Sequence, residues 1–154
     1  MKILVLADSH GDRTRLRRII ELEKPFDYLI HCGDGVDDLA HVTLPQSAAV
    51  LCVAGNMDRG QAAVGRERLI ETELNGVRLL ICHGDQFAVH HDYDRLLDEG
   101  LRRGVDMICC GHTHIACQLD QQPLLFNPGP ADRGLYGIIT LRANRPPACE
   151  HKQL

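Results

Sequence analysis

The chain has 154 residues, the length of one ordinary domain, and a chain of this size buries about 68–70% of its unfolded surface in a single core, which leaves little for a second domain. With 44% hydrophobic and 25% charged residues it sits near the globular average, which excludes disorder, collagen-like repeats and coiled coil. Lys+Arg 17 against Asp+Glu 21 gives a net charge of −4, and there is no Trp, so no binding to a nucleic-acid polymer through bulk charge or base stacking is expected.

Residues 1–7 read as a buried strand, a short continuous apolar run that stops at Asp8-Ser9-His10. Its apolar part, Ile3 to Ala7, is shorter than the roughly 7–15 residues of a signal peptide or the about 20 of a spanning helix, so neither export nor membrane insertion is expected. The seven cysteines are odd in number, contain no CxxC pair and lie partly in apolar runs; they read as reduced thiols of a cytoplasmic protein. Asp12 is expected to cap a helix with Leu16, Ile19 and Ile20 inward and Arg13, Arg15, Arg17 and Arg18 on a solvated outer face. Residues 27–32 form a second buried strand ending at Gly33-Asp34, and residues 48–54 a third ending at Gly55-Asn56. Residues 68–74, the turn Asn75-Gly76 and residues 77–82 form a hairpin whose second strand ends at His83-Gly84-Asp85. Asp92 is expected to cap a helix that turns Tyr93, Leu96, Leu97 and Leu101 inward and closes at Gly104. Residues 105–110 are another apolar strand, ending at Gly111-His112-Thr113-His114, and short strands at 115–119, 123–126 and 136–141 complete the chain.

Helices alternating with strands early, then mostly strands, indicate an α/β layered domain with one mixed sheet or two packed sheets. Five of the apolar strands end in polar clusters: Asp8 and His10, Asp34, Asn56, His83, and His112 with His114. In α/β sheets ligands collect beyond the carboxyl ends of strands, so these clusters are expected to converge on one edge. Together they supply two carboxylates, one amide oxygen and four imidazoles. That is more than one tetrahedral zinc site with an open position can use, and it suits two borderline divalent ions such as Mn, Fe or Zn rather than Ca or Mg. Two such ions about 3.5–4 Å apart need a bridging anionic ligand, and they clamp the attacking and leaving oxygens of an in-line displacement, which points to phosphoryl transfer.

Asp8-Ser9-His10, Gly33-Asp34 with Asp37 three residues on, Gly55-Asn56, His83-Gly84 and Gly111-His112-Thr113-His114 resemble, in order, the five-block signature of calcineurin-like metallophosphoesterases. The short length and Asn127-Pro128-Gly129 resemble the family's small bacterial and archaeal phosphodiesterase branch. The resemblance implies a four-layer αββα sandwich, two mixed sheets flanked by helices, in a single domain over residues 1–154. It implies that Asp8, His10 and His114 hold one metal, that Asn56, His83 and His112 hold another, and that Asp34 bridges them, with Asp34, Asn56 and His83 counted as the catalytic residues. The cofactors are then two divalent transition-metal ions, Mn2+ foremost and Fe, Zn or Ni as alternatives. The implied reaction is attack of a metal-bridging hydroxide on a small phosphate ester, a diester foremost. A phosphomonoesterase or nucleotide pyrophosphohydrolase is the alternative within the same chemistry. A non-catalytic binding scaffold like the related retromer subunit is the alternative of another class, disfavoured because all seven ligand positions are filled. A second copy of the chain is left open as a partner.

Outside the seven, His31 reads as a core histidine behind the site, and His41, His90, His91 and His151 as surface residues. Asp37 and Asp58 are placed to orient ligand imidazoles, although a helix cap and a turn are equally ordinary homes for them. Two departures from the family pattern stand out. Met57 follows Gly55-Asn56 where larger members carry a histidine thought to protonate the leaving group, and Pro130-Ala131-Asp132-Arg133 replaces a more usual serine and later Pro-Arg. Arg133 is read as an exposed loop arginine.

Overall fold

The structure, a computed structural model, describes residues 1–59 and 64–154. Two five-stranded sheets pack face to face. The first has the order β10 (Ala148–Gln153), β9 (Leu135–Thr140), β1 (Lys2–Leu6), β2 (Tyr28–His31), β3 (Ala49–Cys52). The second has the order β4 (Leu69–Leu74), β5 (Val77–Cys82), β6 (Met107–Cys109), β8 (Leu124–Asn127), β7 (Cys117–Leu119). Both are mixed: β1, β2 and β3 run parallel, as do β5, β6 and β8, while β9, β10, β4 and β7 join antiparallel.

The alternation of side chains along each strand builds four layers. Ile3 and Val5 of β1, with Ile30, Leu79, Ile81, Met107, Cys109, Phe126 and Ile139, fill the space between the sheets. Leu4 and Leu6 point the other way, onto Leu16, Ile19 and Ile20 of α1 (Arg13–Glu23). Leu80 and Cys82 face Leu96 of α3 (Asp94–Arg103) on the outer side of the second sheet. Because both faces of the central strands are covered, they read as unbroken apolar runs rather than alternating ones. The αββα sandwich is therefore the observed architecture. None of the described helices is long and apolar enough to cross a membrane.

Most local expectations hold. The Asp12 side chain accepts from the Arg15 N–H and caps α1, and the helix stops at Lys24, whose extended backbone is what a following Pro25 imposes. Asn75 and Gly76 both take positive φ, 51° and 80°, the geometry of a tight two-residue hairpin turn. All seven cysteines are free, and burial pushes the Cys82 thiol up to about 12.

Others are corrected. Leu101 is exposed, because Gly100 occupies the inward position: a Cβ there would lie 2.7 Å from Ile108 and 2.8 Å from Pro123. The helix packs so closely at that point that the inward stripe runs through Tyr93, Leu96, Leu97 and Gly100, and the cap position falls on Tyr93 rather than Asp92. Arg13 and Arg15 are not simply solvated, since Arg13 pairs with Asp38 and Arg15 with Asp12. The short helix α2 (Val36–Leu39) and the edge strand β10 had no clear sequence signal. His151 on β10 is not a surface residue: it stacks on Phe126 with ring centroids 4.5 Å apart and bonds the Asn127 carbonyl.

Candidate metal centre

The five polar clusters do converge. Each begins where a strand of the parallel set ends, and the backbone there is unusual. Asp8, His10, Asp34, His112 and His114 all have φ between 43° and 70°, five of the eight non-glycine residues with positive φ among those described. Each such residue costs of order 1–3 kcal/mol, so strain is concentrated where function would use it. Neighbouring glycines make the approach possible. A Cβ on Gly55 would lie 2.1 Å from Asp34 Oδ1, and one on Gly111 would lie 2.7 Å from the Ala7 Cβ.

Two groups of donors result. In one, Asp8 Oδ1 lies 3.3 Å from His114 Nε2 and 3.9 Å from His10 Nε2, and the two imidazole nitrogens are 3.1 Å apart. In the other, His83 Nε2 lies 3.3 Å from Asp34 Oδ2, 3.0 Å from Asn56 Oδ1 and 3.1 Å from His112 Nδ1. Candidate ligand atoms of Asp8, His10 and His114, and of Asp8, Asp34 and His83, each lie within 4.8 Å of one another. By this geometry Asp8 belongs to both groups, whereas the family resemblance gives the shared place to Asp34. All seven residues singled out in the sequence are thus brought to one edge.

The chemistry of these donors fits a divalent cation. His83 Nδ1 faces the Cys32 carbonyl at 2.8 Å, so Nδ1 carries the proton and Nε2 presents a lone pair toward two oxygen acceptors and another ring nitrogen. Lone pairs crowded in this way need something positive between them. Burial lowers the tendency of His83 to protonate, but Asp34, Asp8 and the Cys32 carbonyl outweigh it and raise its pKa. A cation is favoured at that spot, whether proton or metal. Burial raises the Asp8 carboxyl above its usual range, only partly offset by His83, His114 and the His112 N–H, and its Oδ1 is buried with no hydrogen-bond partner. Burial acts on Asp34 in the same sense, yet His83, the Met57 N–H and His10 hold it below the ordinary value. Burial, His83 and His90 push His112 down to about 4, keeping its imidazole neutral and able to donate a lone pair.

The profile of the calcineurin-like phosphoesterase superfamily domain matches residues 1–140 of the chain. The chain belongs to the calcineurin-like phosphoesterase superfamily. A probable metallophosphoesterase of Bacillus subtilis (strain 168), YsnB, is 32% identical over 149 residues, covering 92% of this chain and 85% of its own length. Among solved structures, Vps29 of Entamoeba histolytica complexed with zinc superposes with a TM-score of 0.73 at 18% identity over 99% of each chain. A novel archaeal phosphodiesterase superposes with a TM-score of 0.72 at 20% identity over 100% of each chain. Calcineurin-like phosphoesterases bind divalent metals, and Asp8, His10, Asp34, His83 and His114 are candidates to hold them here.

Around this calcineurin-like centre lies a supporting frame that the sequence only partly disclosed. His31 is buried, accepts from the Gly33 N–H and contacts Ser9 Oγ; burial lowers its pKa to about 4, so it is a neutral core histidine as expected. Asp37 is exposed and, among the described residues, bonds no imidazole. Its neighbour Asp38 does the positioning, accepting from Ser9 Oγ at 2.6 Å, the Gly11 N–H at 2.9 Å and Arg13 Nε at 3.2 Å. Asp58 does not orient imidazoles either: it gathers the backbone N–H groups of Asp34, Gly35, Val36 and Gly55. Asn127 Nδ2 donates to the Gly111 carbonyl and Thr113 Oγ1, fixing the loop that carries His112 and His114. His90, expected on the surface, is exposed but lies against His112 with ring centroids 4.1 Å apart. Arg133 is exposed.

One cleft is lined in part by the donors His10 and Asp34, and a second, lined by none of the seven donors, includes His90, which packs on His112. The first, of about 310 Å³, opens on the His10 and Asp34 side and is walled by Arg13, Val36, Met57 and Arg59. The other, of about 290 Å³, opens beside His112 and is walled by Val89, His90, Tyr93, Thr113 and Ile115.

Proposed function

We propose that the chain is a dinuclear metal-dependent phosphodiesterase acting on small phosphate diesters. The observation that carries this reading is the pair of clefts of similar size: a diester has two ester arms to accommodate, a monoester one. In the proposed assignment Asp8, His10 and His114 hold one ion, Asn56, His83 and His112 the other, and Asp34 is shared. Asp34 suits the shared place because it feels both His83 and His10, one imidazole from each half. The ions, Mn2+ foremost, would supply Lewis acidity and a water acidic enough to ionise near neutral pH.

The remaining work falls to the chain. Asp34 Oδ1 is fixed by the Met57 N–H, which leaves Oδ2 toward the centre. The Cys32 carbonyl fixes the His83 tautomer, and Asp8 Oδ2 accepts from the His112 N–H, tying the two sheets together across the site. In the balanced reaction one phosphorus–oxygen bond forms to water oxygen, the bond to one ester arm breaks, and the water's proton leaves with the departing alcohol. Met57 has no proton to give to that oxygen. Activated aryl arms should therefore depart far more readily than alkyl arms.

The test is hydrolysis by protein stripped with EDTA and reloaded with Mn2+. A bis-aryl phosphodiester is expected to turn over faster than the matching aryl monoester, with no turnover before reloading. A preference for the monoester would replace this reading with a phosphomonoesterase, and metal-independent turnover would remove the metal assignment.

A further inference from the structure

The cleft on the His10 and Asp34 side holds two arginines, Arg13 and Arg59, among four carboxylates, Asp34, Asp37, Asp38 and Asp58. Arg13 is anchored by its Nε to Asp38, and both Asp38 oxygens are already engaged. Among the described residues nothing accepts from the two terminal nitrogens of Arg13, so its guanidinium edge is left for a ligand. Arg59, which lines the same cleft, is exposed and has no ion-pair partner among the described residues. Asp58, beside it, is saturated by four backbone N–H groups and offers Arg59 no spare acceptor. Of the other carboxylates lining the cleft, Asp34 is held by the Met57 N–H and faces His83, Asp38 is engaged by Ser9, Gly11 and Arg13, and Asp37 is exposed. The same cleft is lined by Met57, 54% exposed, whose N–H holds Asp34 and whose flexible thioether is suited to pack carbon skeletons of varied shape.

We propose that this cleft is a subsite for an ester arm bearing a second phosphate group, held by Arg13 and Arg59, with Met57 packing the skeleton between the two phosphates. This rests on the phosphodiesterase reading and narrows it: the substrate class is an unsymmetrical diester one of whose arms is itself phosphorylated, as in a nucleotide with phosphate at both ends of the sugar. Guanidinium groups favour phosphate over a simple point charge because planar N–H pairs meet two oxygens at once. The cleft beside His112, walled by His90, His91, Val89, Tyr93 and Ile115, has Asp92 and no arginine or lysine in its lining and suits an arm without negative charge.

The test is equilibrium binding to Mn2+-loaded protein by calorimetry, comparing thymidine 5′-monophosphate with thymidine 3′,5′-bisphosphate, so that the readout does not depend on turnover. The bisphosphate is expected to bind about tenfold tighter, the scale of one added charge-assisted contact. Arg59→Met, which removes no ion pair among the described residues, should bring that ratio close to one, and Arg13→Lys, which keeps a charge near Asp38 but loses the fork, should lower it to an intermediate value. Equal affinity of the two ligands for the wild type, or a ratio untouched by both variants, overturns the subsite. Hydrolysis of bis(4-nitrophenyl) phosphate, measured in parallel, reports separately on the phosphodiesterase reading, since that substrate has no second phosphate.

Discussion

Two carboxylates are buried in this molecule in opposite circumstances. Glu23, at the end of α1, is 4% exposed, and its oxygens are met by Lys2 at 2.9 Å, Lys152 at 2.9 Å and the Tyr136 hydroxyl at 2.9 Å. Burial raises its pKa, but Lys152, Lys2 and Tyr136 together outweigh that and lower it. Asp8 is fully buried, has an oxygen with no partner, and keeps a raised pKa. A buried charge that is matched holds the fold together; one left unmatched costs stability, and under the proposed assignment Asp8 is kept because it would serve an ion. The contrast separates a structural cluster, which ties β1 and β10 to α1, from a functional one at the other end of the same strand β1.

Changes at the unmatched end should affect function most. Asp34→Asn is expected to lower turnover at least about a hundredfold, more than Asn56→Ala or His10→Ala, because removing the shared charge leaves two cations facing each other. Steady-state rates of the three variants check this, and equal losses would deny Asp34 its special place. Asp8→Asn should abolish binding of at least one ion while making the metal-free protein no less stable than the metal-free wild type, since it removes an uncompensated buried charge. Thermal melts with and without Mn2+ read both effects at once.

At the matched end the pattern reverses. Glu23→Gln should reduce stability near neutral pH by about 1–2 kcal/mol without changing metal content. The folded carboxyl titrates below its ordinary value of 4.5, so Glu23 stabilises above that value and the contribution is lost as pH falls through the folded pKa. The difference in melting temperature between variant and wild type should therefore narrow as pH is lowered below 4.5. A gap that widens in acid would contradict the assigned shift. The smallest expected change is at Met57. Met57→His supplies a proton donor at the lip of the site and should raise monoester turnover, narrowing the preference for a bis-aryl diester, by a factor well below the about 10²–10⁴ of a fully positioned acid.

Sequence pattern disclosed the functional end better than the structural one. Asp8, Asp34, Asn56, His83 and the Gly111-His112-Thr113-His114 run all sit where an apolar run stops, and strand ends of a parallel set must share an edge. Side chains that act through long-range contacts leave no such mark. Asp38 is one position from the Asp37 of the signature, yet the turn of α2 buries Asp38 and exposes Asp37. Asn127 reaches the His112 loop only because β8 lies beside β6. Glu23 looks like an ordinary helix-surface glutamate until Lys152, 129 residues away, folds over it on β10. Strand β10, reading Ala-Cys-Glu-His-Lys-Gln, is an edge strand whose pairing with β9 rather than its own composition makes it a strand.

If the strand-end donors form a two-ion centre, metal and activity must go together. Metal content per chain, measured on protein purified without chelator and shown to hydrolyse a bis-aryl phosphodiester, tests it most directly. Close to two divalent transition-metal ions per chain are expected, falling together with activity when EDTA is added. Full activity in protein that holds no metal would contradict it.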